Sequence, residues 1–283
     1  MSAIEVVRIA GVATVQDAGR PGWMHQGVPP GGALVPELLA RANLAVGNRW
    51  GAAAIELVGA IELAARGGDV VIATSSGEVK TLPDGEASRL PAAREARVGY
   101  VAVRGGLAVP SVLGGRGTLL AAKLGGIDGR VLQRGDRLPV GHGSTSAEGA
   151  LPPSGPSEGA IGVVVGPDHR RFPPEAIAIL LESPFLISPS SDRTGTRLRG
   201  APPLPRLDRD SALSTPMVAG AIQVPSSGDP IVLGPDHPTT GGYPVLAVVR
   251  RADLGRFHAL PLGSTVRFRA APARDLPPPP RDV

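Results

Sequence analysis

The chain has 283 residues, 42% of them hydrophobic but only 3% aromatic, and it contains no cysteine, which excludes disulfide bonds and thiolate metal sites. Its net charge is +4 at pH 7, but the basic residues are dispersed and lack interleaved aromatic side chains, so we expect no nucleic-acid partner. No apolar stretch reaches about 18 residues and no basic and apolar leader opens the chain, so we expect a cytoplasmic protein without a membrane partner.

In the first half of the chain, short apolar runs bounded by Gly, Pro or Asp predict β-strands. They lie at residues 6–9, 55–58, 61–63, 70–73 and 100–103. A helix is predicted from Val35 to about Val46, because Pro36 suits a first turn and Gly47 is a common stop signal.

Residues 142–159 are rich in Ser, Gly and Pro and cannot bury an apolar face, so we interpret them as a linker. They separate a predicted N-terminal β-barrel-like domain, 1–141, from a predicted C-terminal domain, 160–272. Residues 273–283 form a proline-rich tail.

The second half carries a predicted helix at about 173–181 and further strand-like runs. These runs lie at 161–165, 222–224, 231–233, 245–249 and 265–268. Short strands at such close spacing are typical of an antiparallel sandwich or barrel. The sequence therefore predicts a mainly β protein with a few short helices.

Two polar, glycine-rich segments are the strongest candidates for a functional site, because rigid scaffolds commonly place their chemistry on such loops. The first, 190–198, combines the carboxylate of Asp192 with the guanidinium groups of Arg193 and Arg197. Arginine forks bind carboxylate and phosphate groups in a bidentate fashion. On this pattern alone, a surface salt-bridge network is an equally good interpretation.

The second segment, 236–244, offers hydroxyls and backbone N–H groups that could bind an anion. They belong to Thr239, Thr240, Gly241, Gly242 and Tyr243. Asp236 stands just before them, and a carboxylate at that place could hold Mg²⁺ or act as a base. The alternative is a simple hairpin, since Gly-Gly is ordinary hairpin chemistry. Gln223 lies in the run between the two segments.

Other motifs say less. His25 lies in a third glycine-rich loop, 16–33, and a histidine without a partner in view is more often structural than catalytic. The sequence has no phosphate-binding loop of the Gly-x-x-x-x-Gly-Lys type and no His-Glu-x-x-His motif, so we predict no metal site from motifs. Neither Lys80 nor Lys123 has the neighbouring methionine of a biotin-carrier lysine.

Several segments, in order over about residues 4–270, together resemble the biotin-dependent carboxyltransferase/allophanate hydrolase subunit 2 family. They include Gly27-Val28-Pro29-Pro30-Gly31-Gly32-Ala33, Asn43-Leu44-Ala45-Val46-Gly47-Asn48, Ser191-Asp192-Arg193, Gly220-Ala221-Ile222-Gln223-Val224-Pro225 and Thr239-Thr240-Gly241-Gly242-Tyr243-Pro244. The resemblance implies two cyclophilin-like β-barrel domains.

The family's bacterial stand-alone members include the C-type subunit of ATP-dependent 5-oxoprolinase, so the resemblance implies that activity. The enzyme opens the lactam of 5-oxo-L-proline to L-glutamate through a phosphorylated intermediate. ATP and Mg²⁺ would be its cofactors. The resemblance implies two protein partners for this chain: the B-type 5-oxoprolinase subunit, which has a related fold, and the A-type 5-oxoprolinase subunit.

Two alternatives to this activity stay open. One is the carboxyltransferase component of a urea or amide carboxylase. The other is a non-catalytic regulator that binds a kinase-inhibitor-like protein of the B type.

On this resemblance we assign catalytic roles to three residues, namely Asp236, Arg193 and Arg197. Substrate or nucleotide binding is assigned to Gln223, Thr239, Thr240, Gly241, Gly242, Tyr243, Asp192 and His25. We expect Arg193, Arg197, Gln223, Asp236, Thr240 and Tyr243 to line one cleft, and if the two arginines face solvent, their replacement by alanine should change folding little.

The sequence departs from the family pattern at three places. Gly115 and Gly117 stand where serines are usual, residues 74–78 replace a different loop, and His258 stands where glutamine is common. If the missing serines, and the aspartate usual in the loop that 74–78 replaces, contact the substrate in the family, this protein would bind something different or would have lost activity.

Overall fold

The computed structural model describes residues 2–93, 96–142, 158–200, 202–207 and 213–271. Within these ranges the chain forms two large β-sheets, one small two-stranded sheet and three α-helices. The predicted mainly β fold class is confirmed. The predicted linker falls almost wholly outside the described residues and the tail entirely so, and the domain boundaries stay a prediction.

The first sheet is built from residues 3–139. Its strands are β1 (Ala3–Gln16), β2 (Ala54–Arg66), β3 (Val70–Thr74), β4 (Val79–Leu82), β5 (Ala87–Leu90), β6 (Gly99–Val103) and β7 (Arg137–Pro139). The order is β4-β3-β6-β2-β1-β7, with β5 paired to β2. The long antiparallel pair of β1 and β2 is its centre, in register from Ala3 opposite Arg66 to Gln16 opposite Ala54.

Residues 55–58 and 61–63, predicted as two separate strands, both belong to the single strand β2. Gly59 lies directly opposite Gly11, and both have positive φ values, 102° and 134°. A Cβ added at Gly59 would lie 2.1 Å from the Ala10 carbonyl oxygen. The glycine therefore permits close strand approach, and it does not end the strand as the sequence suggested.

The second sheet closes on itself. The strands after residue 160 are β8 (Ile161–Val165), β9 (Phe185–Ile187), β10 (Gly195–Gly200), β11 (Thr215–Pro216), β12 (Ala221–Gln223), β13 (Ile231–Leu233), β14 (Thr240–Gly241), β15 (Val245–Val249), β16 (Thr265–Val266) and β17 (Phe268–Ala270). Eight of them run in the order β16-β9-β10-β13-β12-β15-β8-β17, while β11 and β14 pair separately. Only Arg267 separates the two end strands, β16 and β17, so the chain itself joins the sheet edges into a nearly closed barrel.

The helices are α1 (Pro36–Ala45), α2 (Pro174–Glu182) and α3 (Arg251–Ala259). The first two confirm the predicted helices and begin at a proline, as expected. The third was not predicted, because it is polar and carries Gly255 in its middle. Tertiary contacts hold it: the Gly162 N–H donates to Asp253, and Arg256, which pairs with Asp253 within the helix, donates to the Ala160 carbonyl. No described helix is both long and apolar enough to span a bilayer.

Each large sheet has its own core. The first is aliphatic, built from side chains such as Ile4, Ile55 and Leu63. The second contains all four phenylalanines of the chain, Phe172, Phe185, Phe257 and Phe268. The candidate site lies between the two sheets, outside both of these cores.

Candidate functional site

A cavity of about 350 Å³ lies between the first sheet and the loops of the second. Its charged lining residues are Glu56, Arg97, Asp192, Arg193 and Asp236. Its apolar lining includes Val12, Val58, Leu120 and Leu262, all exposed. A volume of roughly 300–1,000 Å³ with a few convergent polar groups is typical of small-molecule sites. The cavity is therefore the candidate site.

Arg193 links a strand of the first sheet to a loop of the second, through Glu56 and Asp236. Its Nε and Nη2 donate to the two carboxylate oxygens of Asp236, both at 2.8 Å, and its Nη1 donates to Glu56 Oε1 at 2.7 Å. Nη2 also donates to the Gly32 carbonyl at 2.6 Å. Burial opposes its charge, but Glu56 and Asp236 outweigh that effect and raise the pKa of Arg193. Arg193 is only 14% exposed, so the condition under which its replacement would change folding little, a solvent-facing side chain, is not met.

Glu56 is equally constrained. Its Oε2 accepts from the Tyr100 hydroxyl at 2.6 Å and from the Leu34 N–H at 2.9 Å. The Tyr100 oxygen in turn accepts the Val35 N–H at 3.0 Å. Burial, and then the charge of Glu56, raise the pKa of Tyr100 well above its usual value, so the hydroxyl stays a donor. The base of the cavity is thus a rigid network of hydrogen-bonded ions.

Asp236 was predicted to act as a base or a Mg²⁺ ligand, and the geometry does not fit those roles. Burial raises its pKa, Arg193 acts in the opposite direction, and both carboxylate oxygens accept from Arg193. A Mg²⁺ ion would compete with Arg193 for Asp236 and with Arg193 and Tyr100 for Glu56. The two buried carboxylates of this cavity, Glu56 and Asp236, therefore do not fit a Mg²⁺-ATP site.

Three of the predicted site residues meet in the cavity: Asp192, Arg193 and Asp236. Asp192 is exposed, and its Oδ1 accepts the N–H groups of Thr194 and Gly195. Arg197 does not join them. Successive side chains of β10 point to opposite faces, so Thr196 is buried while Arg197 points to solvent.

Gln223 belongs to a different cluster. Its Nε2 donates to the Tyr243 carbonyl and to Met217 Sδ, both at 3.3 Å. Thr240 and Gly241 form β14 there, and Thr239 precedes that strand. The expectation that Gln223, Thr240 and Tyr243 share a cleft with Arg193 is therefore not met; the roles assigned to them, as to Thr239, Gly241 and Gly242, stay predictions.

His25 is exposed within a single 3₁₀ turn, Met24–Gln26, where its ring lies 3.2 Å from the Gln26 side chain. The loop at 74–78, which departs from the family pattern, contributes Thr74, Ser75 and Ser76 to a separate cavity of about 520 Å³. Neither feature lines the candidate site.

Sequence reasoning missed Arg97 and noted His258 only as a departure from the family pattern. Arg97 Nη2 donates to His258 Nδ1 at 3.0 Å, and its backbone N–H donates to the Ala259 carbonyl at 3.0 Å. Burial lowers the pKa of Arg97 to about 10, although Glu56, Tyr100 and Asp192 act against that shift. The two residues lie 161 positions apart in an otherwise ordinary sequence, so no local signal could have paired them.

His258 is kept neutral. It is fully enclosed, and burial, followed by the charges of Arg97 and Arg193, lowers its pKa well below the usual value. A neutral ring is what the contact needs, because Nδ1 must accept the Arg97 proton.

The depressed pKa of His258 predicts a pH-dependent stability. Below the unfolded-state pKa of about 6.5 the unfolded chain takes up a proton that the folded chain refuses, so unfolding becomes easier as the pH falls, by at most about 1.4 kcal/mol per pH unit. We expect His258→Gln to reduce the loss of stability between pH 7 and pH 5, measured by urea unfolding. Identical pH profiles of the wild type and this variant would contradict the assignment.

Comparison with known proteins gives the family. The model of a carboxyltransferase domain, subdomains A and B, matches residues 26–270. The chain is 33% identical to the C-type subunit of 5-oxoprolinase from Escherichia coli, over 94% of this chain and 90% of the relative.

Two solved structures are also similar. The crystal structure of the protein TTHA0988 superposes with a TM-score of 0.79 at 30% identity, covering 95% of this chain and 55% of that one. Kluyveromyces lactis urea amidolyase superposes with a TM-score of 0.77 at 27% identity, covering 94% of this chain and 18% of that one. The chain thus spans about half of the first and under a fifth of the second. With the match to the family model and the E. coli relative, these findings confirm the family resemblance seen in the sequence: the chain belongs to the carboxyltransferase-domain family with subdomains A and B.

Proposed function

We propose that this protein is one component of a multi-subunit 5-oxoprolinase that opens the lactam of 5-oxo-L-proline at the expense of ATP. The observation that carries the proposal is the match to the C-type 5-oxoprolinase subunit of E. coli, at 33% identity across 94% of this chain and 90% of that relative. The similarity to urea amidolyase covers 18% of that much longer chain.

The chemistry of the cavity supports this proposal. A small lactam has an apolar ring, a polar amide and, in 5-oxoproline, a carboxylate. Val12, Val58 and Leu262 offer apolar surface at the rim, while the charged groups lie at the base. Because Arg193 holds Glu56 and Asp236 in place, the base does not need to reorganise when the substrate binds, which is the arrangement that favours electrostatic stabilisation.

Mg²⁺-ATP is proposed for the complete enzyme and not for this cavity, whose two buried carboxylates, Glu56 and Asp236, are occupied by Arg193 and Tyr100. We propose that the two other components, the A-type and B-type proteins, bind the nucleotide or complete its site. It follows that the isolated chain should show little turnover, and that activity should need all three components.

The test is reconstitution. The chain is purified alone and with its two partner proteins, and ATP hydrolysis is measured with 5-oxoproline, with urea and without substrate. We expect 5-oxoproline-dependent hydrolysis and glutamate formation only when all three components are present.

Other results would favour the alternatives. Urea-dependent carboxyl transfer would favour a carboxylase component. A tight complex with the B-type protein that lacks activity and inhibits or releases a kinase would favour a regulator. Full turnover by the isolated chain would contradict the proposed division of roles.

A further inference from the structure

An anion that entered the cavity would meet one arginine in preference to the other. The cavity is lined by two arginines, Arg97 and Arg193. Arg193 already uses all three guanidinium nitrogens on Asp236, Glu56 and Gly32. Arg97 makes no ion pair with any carboxylate in the described part of the chain, and His258, its only side-chain hydrogen-bond partner there, is neutral.

A half-buried cation without a carboxylate at ion-pair distance is costly, because it has lost water and more distant charges, here those of Glu56 and Asp192, compensate only in part. The low pKa of Arg97, about 10, reflects that cost, yet the side chain stays protonated at neutral pH. Its Nε is buried and has no hydrogen-bond partner among the described residues. An incoming carboxylate would supply the opposite charge that Arg97 lacks at ion-pair distance, and it would be bound more strongly because of it.

Two contacts hold Arg97 at the cavity wall. His258 accepts from Nη2 at 3.0 Å, and the Ala259 carbonyl accepts from the backbone N–H at 3.0 Å. Asp192 is the cavity carboxylate that could compete for it. That carboxylate lies outside ion-pair distance and accepts the N–H groups of Thr194 and Gly195 in its own loop.

We propose that Arg97 is the specificity-determining residue that binds the carboxylate of the substrate, with His258 as its positioning residue. This inference rests on the proposed function for the identity of the substrate, since the ring that carries the carboxylate would be the lactam. The cavity then selects lactams that bear an acid group and discriminates against the same ring without one.

The experiment measures binding directly, by isothermal titration calorimetry on the full chain, alone and assembled with its partner proteins. The two probes are 5-oxoproline and 2-pyrrolidinone, which share the lactam ring but differ in the carboxylate. We expect 5-oxoproline to bind at least about tenfold more tightly to the wild type, as the loss of a charge-assisted hydrogen bond implies.

Arg97→Gln should abolish this preference, and Arg97→Lys should keep part of it because the charge remains. Arg199→Gln is the matched control, since Arg199 is an exposed arginine on β10 outside the cavity. Thermal melts show whether each variant is folded, and the wild-type comparison of the two probes needs no variant at all.

Equal affinity of the wild type for both probes, no binding of either, or an unchanged preference in folded Arg97→Gln would each overturn the inference. If the preference depends on Arg97 but the reconstituted enzyme does not turn over 5-oxoproline, the proposed function fails and the carboxylate site stands. If turnover occurs and Arg97→Gln leaves KM unchanged, the carboxylate site fails alone.

Discussion

Replacing Arg193 by alanine should lower the free energy of unfolding by about 3–5 kcal/mol. The substitution leaves Glu56 and Asp236 buried and facing each other without their shared cation. Breaking a buried ion pair in this way costs far more than losing a surface pair, which is usually worth less than about 1 kcal/mol. The measurement is urea unfolding at pH 7, with the midpoint and slope fitted for each variant.

Arg199→Ala is the control for the Arg193 variant. Arg199 is an exposed arginine in β10, a few residues along the same segment, and its replacement should change stability by no more than about 0.5 kcal/mol. If the two alanine variants unfold alike, Arg193 does not hold the two sheets together. From the sequence, we expected Arg193→Ala to change folding little only if the side chain faced solvent, and the structure shows that it is mostly buried.

Restoring the family's serine at position 117 should lower stability by roughly 1–3 kcal/mol, the usual cost of overpacking. A Cβ at Gly117 would lie 2.7 Å from Gln16 Oε1 and 2.9 Å from Asp17 Oδ1. Neither side chain can move freely. Gln16 Nε2 donates to the Thr118 carbonyl at 2.9 Å, and Asp17 accepts from the Arg116 N–H at 2.6 Å.

Gly99→Ala is the matched control for Gly117→Ala, and Gly117→Ser is compared with both by thermal unfolding. A Cβ at Gly99 would lie 3.5 Å from Ala93 Cβ, an ordinary contact, so this change should be nearly neutral. A neutral or stabilising Gly117→Ser would contradict the packing argument. It would also mean that the serine of the family pattern could be tolerated here without rearrangement.

Strands such as β3, β6, β8 and β15 were predictable from the sequence because they are apolar runs whose ends are marked by glycine, proline or aspartate. Seven strands were not predicted, namely β4, β5, β7, β9, β10, β11 and β14, and β10 and β14 lie in segments that the sequence suggested were loops. The closure of the second barrel was not predictable either, since it depends on β16 and β17 pairing with distant strands on either side of Arg267. Helix α3 was missed for a similar reason: its buried residues include the polar Asp253 and His258 beside Phe257, and their partners come from other elements.

For the site, sequence reasoning correctly brought Arg193 and Asp236 together. It wrongly grouped them with Gln223, which lies in a different cluster. Arg193 and Asp236 stood out by charge, but the partner that explains Arg193 is Glu56, 137 residues away on a strand of the other sheet. Glycine-rich loops look alike in sequence, and only the fold separates the Gln223 cluster from the cavity. Arg97 carried no motif, because its importance comes from its place in the cavity without an ion-paired carboxylate among the described residues.

The most direct measurement is the crystal structure of this chain, in complex with its partner proteins, grown with 5-oxoproline. We predict the lactam in the cavity between the two sheets, with its carboxylate at charge-assisted hydrogen-bond distance, about 2.7–2.9 Å, from the Arg97 guanidinium. The ion network of Arg193 with Glu56 and Asp236 should stay unchanged beneath it. A ligand bound elsewhere, with the cavity empty or closed by a partner protein, would contradict this account.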